Sequence, residues 1–301
     1  MFSNVNEVVQ QLFLAEGSNY QFVIDWSESC YRDETHAGDP WEYYFNPCFE
    51  IAFDDHETAI GIPGGKEVVC TRNNIITPRL YDNRCDPLLL PKNRWEANRI
   101  INTYLTLSNR VANKIADFRK SHFDAQIIGL HIRGAGRTHG GVPKLRKKLD
   151  LEDGVPFSRY FASVNSALQI YPEAKIFVCS DSEMVIRRVQ KQYGGRVITY
   201  DSTRSEFGEM HANHSENNGT IFPPFKLGMD VLAEAYLLSE ADFFVHGNSN
   251  VVNFVLCNNP TLPHDYVYRR IGLHFDKTLA LFIRVLKLLS KSGKSVLRKS
   301  R

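Results

Sequence analysis

The side chains best suited to chemistry lie where runs of β-formers break off into polar residues. In IIGLHIRGAGRTHGG, residues 127–141, the run ends in His131, Ile132 and Arg133. Gly134, Ala135 and Gly136 on one side and Gly140 and Gly141 on the other then flank Arg137, Thr138 and His139. A guanidinium leaving the end of a strand can fork onto two oxygens of a diphosphate, and glycines let a backbone approach closely. A plain glycine turn, with Arg133 in a surface ion pair, would fit the same residues. Neither this stretch nor PGGKE at 63–67 carries the Lys-Ser/Thr pair of a Walker A loop.

A second place is VCSDSE, 178–183, where Asp181 with Ser182 beside it can accept hydrogen bonds from a base or ribose. Capping of the following helix would explain the same residues. In FVHGNSNVVNF, 244–254, a run of β-formers passes through Gly247, Asn248, Ser249 and Asn250 into a helical pattern. A helix N-terminus there would face an anion, or Ser249 would serve only as a hydroxyl cap. EMHANHSENNG, 209–219, sets His211 and His214 three apart beside Glu209 and Glu216. Its polar, asparagine-rich character reads as a substrate loop rather than a metal site.

Short β-branched runs alternating with helical periodicity must position these residues. The pattern predicts strands at 126–132, 175–180, 196–200 and 242–246, with helices at 157–171, 183–193, 225–240 and 249–258. That alternation is a doubly wound parallel sheet, whose ligands bind at the carboxyl ends of the strands. The first half is less regular. It holds a helix at 4–16, strands at 20–25 and 66–71, an aromatic passage DPWEYYFNPCFE, and one long helical pattern over 93–120. A domain boundary is placed at 122. The helix at 4–16 looks like one that should follow a first strand, so either that strand is dispensable or the start lies upstream.

The 301 residues, 43% hydrophobic, suffice for two domains with substantial cores. A formal charge of +2 and the absence of a basic aromatic platform disfavour nucleic acid as a partner. No signal sequence or membrane span is legible, which points to a cytoplasmic protein. The cysteines at 30, 48, 70, 85, 179 and 257 form no Cys-x-x-Cys pair and are read as thiols. From Arg284 onward the chain has seven Lys or Arg and no acid, which suits either a terminal helix with a basic tail or peripheral contact with an anionic membrane.

FVIDWSESCY (22–31), IIGLHIRGAGRTHGG and GMDVLAEAYLLSEADFFVHGNSNVVNF (228–254) resemble, in order, three segments of the rhizobial nodulation fucosyltransferase and core α-1,6-fucosyltransferase family. The resemblance runs from the first residues to about 270. It implies an α/β GT-B fold, two Rossmann-like domains facing a central cleft. An acceptor-side domain would span 1–122, a donor-binding domain 123–272, and a C-terminal helix and basic tail 273–301. It also implies inverting transfer of L-fucose from GDP-fucose to a glycan hydroxyl, with no metal or other cofactor.

Under the same resemblance His131 and Arg133 fall on the family's His-x-Arg motif, whose arginine binds the donor diphosphate. The family's frequent second arginine is Gly134 here, and Arg137 is the substitute. Asp181, with Ser182, falls near the nucleoside, Ser249 and Asn250 on the phosphate-side turn, and Glu234 on an acid of the preceding helix. Where relatives carry an acid a few residues past the motif, this chain offers Thr138 and His139. An imidazole with an ordinary pKa of about 6.5 can take the acceptor's proton, so His139 is the candidate base.

The aromatics Trp26, Trp41, Tyr43, Tyr44 and Phe45 suit either stacking on an oligosaccharide or lipid-linked glycan acceptor or burial in a core. Two alternatives to fucosyl transfer stand: another nucleotide-sugar donor, and a catalytically silent nucleotide-sugar-binding protein.

Overall fold

The structure, a computed structural model, describes residues 1–15, 20–27, 29–48, 67–70, 91–133, 151–152, 155–205 and 222–267. Helix α1 (Phe2–Ala15) leads into β1 (Tyr20–Val23), which pairs in parallel with β2 (Glu67–Cys70). Helices α2 (Pro91–Tyr104) and α3 (Asn109–His122) precede β3 (Ile127–His131). A small antiparallel pair, β4 (Leu151–Glu152) and β5 (Val155–Pro156), opens into α4 (Phe157–Ile170) and β6 (Lys175–Cys179). Then come α5 (Glu183–Tyr193), β7 (Val197–Ile198), α6 (Pro224–Ser239), β8 (Phe243–His246), α7 (Asn250–Asn258) and β9 (His264–Tyr266).

Five of these strands form one sheet in the order β7-β6-β3-β8-β9, with every neighbouring pair parallel. From β3 the chain builds outward through β6 and β7, then returns to the other side of β3 with β8 and β9. The order therefore reverses between β3 and β8, and a crevice opens there at the strands' carboxyl ends.

Side-chain alternation divides the core between the two sheet faces. Ile128, Leu130, Ile176, Val178 and Val245 point to one face, where Tyr160 and Val164 of α4 and Val185 and Val189 of α5 cover them. Ile127, Phe177, Cys179 and Phe244 point to the other. They share a single cluster with α1, α2, α3, α6, α7 and the aromatics of the 26–45 passage. Trp26, Trp41, Tyr43, Tyr44 and Phe45 are all buried there. Those rings fill the core instead of forming an open shelf for a sugar.

The small β4–β5 pair and two larger features depart from the sequence pattern. The long helix expected over 93–120 is broken between Tyr104 and Asn109. The backbone of the break pairs with the aromatic passage instead: Asn46 N donates to the Thr106 carbonyl at 2.8 Å and Ser108 N to the Tyr44 carbonyl at 2.9 Å. Those partners replace the helical bonds, and Ser108 takes the extended geometry of an N-cap. Strand β9 was not anticipated, because HDY is three polar-rich residues with no alternation; its pairing with β8 makes it a strand. Among the described residues, no helix is long and apolar enough to cross a membrane. The basic tail lies outside them.

Candidate functional site

Three strand ends converge on the crevice. After β3 the ladder continues one residue, with Ile132 N donating to the Cys179 carbonyl at 3.2 Å, and Arg133 then leaves the sheet. After β6, residues 180–182 are tied to Ser205: its N–H donates to the Asp181 carbonyl at 3.0 Å, and its carbonyl accepts from Glu183 N at 3.0 Å. This fixes the Asp181 carboxylate opposite Arg133, whose Nη1 reaches Asp181 Oδ2 at 2.6 Å. After β8, the Ser249 hydroxyl accepts from Val251 N at 3.0 Å and caps α7.

A cavity between these ends is walled by His131 and Arg133 at the end of β3, Ser180 and Asp181 just after β6, Ser202 and Thr203 from the segment after β7, Leu227, Asp230, Val231 and Glu234 from α6, and Val251 from α7. Of the residues singled out in the sequence, His131, Arg133, Asp181 and Glu234 meet in this wall. Ser182 and Ser249, both buried, are not part of it, and neither is Asn250, whose carbonyl accepts from Asn6 Nδ2 at 3.0 Å. Gly134, Arg137, Thr138, His139, His211 and His214 lie outside the described residues.

Arg204, Ser202, Thr203 and Asp230 belong to the same neighbourhood, although no sequence motif singles them out. Arg204 donates to the Tyr200 carbonyl at 2.8 Å, to the Ser202 carbonyl at 3.1 Å and to Glu234 Oε1 at 3.1 Å, while the Ser202 hydroxyl donates to the same carboxylate oxygen. Asp230 Oδ2 accepts from Thr203 N at 2.8 Å and from Lys226 Nζ at 2.7 Å. A signal existed only for Asp230, one helical turn before Glu234 and so on the same face of α6.

Burial sets the charges. Glu234 is pushed up to about 7 by desolvation, with Asp230 and Asp181 adding to the rise and Arg204 and Ser202 opposing it. His131 is held down to about 3 by its burial and by the neighbouring Arg133, so it is neutral. Its Nδ1 has no hydrogen-bond partner among the described residues, although the ring is almost completely enclosed. Such an atom in a polar cavity wall is a group suited to a ligand's hydrogen bond. Arg133, with 31% of its side chain exposed, offers a fork to an anion at the mouth. The three carboxylates offer acceptors for the donor edge of a base or for ribose hydroxyls. Among the described residues no group of three His, Cys, Asp or Glu is placed to hold a metal ion.

No protein-family model matches the chain, and no curated protein matches it in sequence. Solved structures do match in fold. Fucosyltransferase NodZ from Bradyrhizobium is 16% identical, with a TM-score of 0.51, over 83% of this chain and 88% of that one. NodZ α-1,6-fucosyltransferase soaked with GDP-fucose gives a TM-score of 0.54 at 16% identity, over 85% and 89% of the two chains. NodZ co-crystallised with GDP gives 0.50 at 18%, over 83% and 88%. The fold of this chain thus resembles that of fucosyltransferases.

Proposed function

We propose that this chain is an inverting, metal-independent glycosyltransferase that moves L-fucose from GDP-fucose to a hydroxyl of an oligosaccharide or lipid-linked glycan. The observation that carries the reading is the Arg133–Asp181 pair at the mouth of a polar cavity, at the point where the sheet's strand order reverses. The likeness in fold to NodZ, solved with GDP and with GDP-fucose, supports the choice of donor. The division into an acceptor-side unit up to 122, a donor unit to 272 and a tail is part of this reading. So are a cytoplasmic location and contact of the 273–301 tail with an anionic membrane.

Breaking the bond between sugar and diphosphate leaves an oxocarbenium-like sugar and places growing negative charge on the leaving oxygen. Arg133, with Arg137 in place of a second motif arginine, meets that charge, and the N-terminus of α7 adds its dipole. The diphosphate competes with Asp181 for Arg133, and the freed Asp181 then faces the nucleoside. Glu234 and His131 lie deeper, where a base edge carrying both donors and acceptors would satisfy them. On the opposite face of the sugar, His139 takes the acceptor's proton.

Thermal-shift measurements with GDP, UDP, CMP and dTDP, followed by donor hydrolysis, test this reading. GDP is expected to raise the melting temperature and GDP-fucose to be turned over equally with and without a chelator. Stabilisation by UDP and not GDP sinks the fucosyl reading. Stabilisation by GDP with no hydrolysis or transfer favours a silent nucleotide-sugar-binding protein.

A further inference from the structure

Behind the turn that follows β8 lies a buried group that the proposed function does not use. His246, the last residue of β8, is completely enclosed, with Phe244 at 4.8 Å and Tyr266 at 5.6 Å between ring centroids. Its Nδ1 lies 2.9 Å from the Gly247 carbonyl, and its Nε2 lies 2.9 Å from Nδ1 of His264, the first residue of β9. Nε2 of His264 lies 3.3 Å from Nη1 of Arg94 on α2.

The two ends of this chain fix every proton in it. A guanidinium only donates, so His264 Nε2 accepts from Arg94 and the ring's proton sits on Nδ1. That proton is donated to His246 Nε2, which leaves the His246 proton on Nδ1, donated to the Gly247 carbonyl. Starting from the carbonyl, which only accepts, gives the same assignment. Both rings are therefore neutral Nδ1–H tautomers. Burial, reinforced by His264, His131 and Arg94 and opposed by the Gly247 carbonyl, holds His246 well below the ordinary imidazole range.

We propose that Arg94, His264 and His246 form a proton-ordered relay that fixes the Gly247 carbonyl and, through it, the Gly247–Ser249 turn that delivers α7 to the donor cavity. The inference deepens the donor-site reading and rests on it for the cavity's ligand. The turn needs such a hold. Gly247 is buried, so its carbonyl must find an internal partner, and a carbonyl left to wander would let the Ser249 cap and Val251 shift with it. The partner comes through two rings from a helix that precedes the whole sheet. None of the three residues is in the cavity wall, so they position the site without touching its ligand.

The test uses the full isotope-labelled chain. Imidazole nitrogen spectra near neutral pH are expected to show protonated Nδ1 on both His246 and His264, and an Nε2–H tautomer on His246 overturns the relay. Amide exchange at Val251, whose N–H the Ser249 hydroxyl holds at 3.0 Å, then reads the turn with no nucleotide present. His264→Phe is expected to speed it about tenfold, with His264→Asn, which keeps a donor facing His246, restoring most of the protection. GDP titration is read as a ratio to the parent protein: His264→Phe and Arg94→Met should weaken binding several-fold, again with rescue in His264→Asn. Unchanged exchange and affinity in His264→Phe, with only a lowered melting temperature, reduces the pair to packing. If the parent protein binds no GDP the donor reading fails, while the tautomer and exchange measurements still decide the relay.

Discussion

At the scale of single residues, Arg133 is held by the Asp181 carboxylate at 2.6 Å, and under the proposed function the donor diphosphate takes over its fork. Arg133→Ala is expected to lower the turnover number of donor hydrolysis by about a hundredfold, and Arg133→Lys to recover little of it, because a point charge cannot grip two oxygens at once. Glu234 supports a prediction about stability. Its pKa rises from 4.5 to about 7 on folding, so the native state keeps a proton that the unfolded chain releases. Its contribution is therefore lost as pH climbs from 4.5 through 7. His131, lowered from 6.5 to about 3, acts in the opposite sense, and its contribution is lost as pH falls from 6.5 through 3. Glu234→Gln removes only the first slope. Relative to the parent protein, its stability in urea titrations should gain about 1.4 kcal/mol for each pH unit between 5 and 7. A parallel profile for the two proteins would show that Glu234 is ionised throughout. The candidate site was legible in sequence where residues directly follow strands, as Arg133 and Asp181 do. Arg204 and Ser202 sit in a stretch without periodicity, and only the fold carries them to Glu234.

At the scale of elements, α6 can pack as it does because Gly228 has no side chain. A β-carbon there would overlap the hydroxyl and ring of Tyr44, which is fully buried and donates to the Phe225 carbonyl at 3.1 Å. Gly228→Ala should destabilise the protein by about 2–3 kcal/mol. The penalty should shrink in a Tyr44→Leu background, where the two changes cease to be additive. Equal penalties in both backgrounds would place the clash elsewhere. For α7, the Ser249 hydroxyl is already engaged as a cap, so Ser249→Ala should reduce stability by about 1 kcal/mol with no nucleotide present. Element types were readable from periodicity, since each buried strand and amphipathic helix announces its own repeat. The break between α2 and α3 was not, because the competing partner of residues 106–108 is a backbone some sixty residues earlier.

At the scale of the whole molecule, the decisive feature is that residues on both sides of 122 share one core. Val5, Val9 and Trp41 belong to the same cluster as Leu232, Phe254 and Leu256. Asn98 Nδ2 on α2 donates to the Asn258 carbonyl at 2.8 Å, which ties the end of α7 to the earlier half. Two units that shared only a wet interface would melt separately; a dry common core makes their unfolding one event. The chain provides its own reporters, since its three tryptophans, Trp26, Trp41 and Trp95, all precede residue 122, while the five-stranded sheet lies wholly after it. Trp26 and Trp41 are buried and Trp95 is 54% exposed, so the fluorescence change on unfolding reports the first two. Fluorescence and far-ultraviolet circular dichroism should therefore give one coincident urea midpoint. Phe254→Ala, a cavity of about 3–5 kcal/mol made on the far side of 122, should shift both signals together. If the tryptophan signal held its midpoint while the dichroism moved, the halves would be energetically independent, and Arg94 could not hold the turn before α7 from across that boundary.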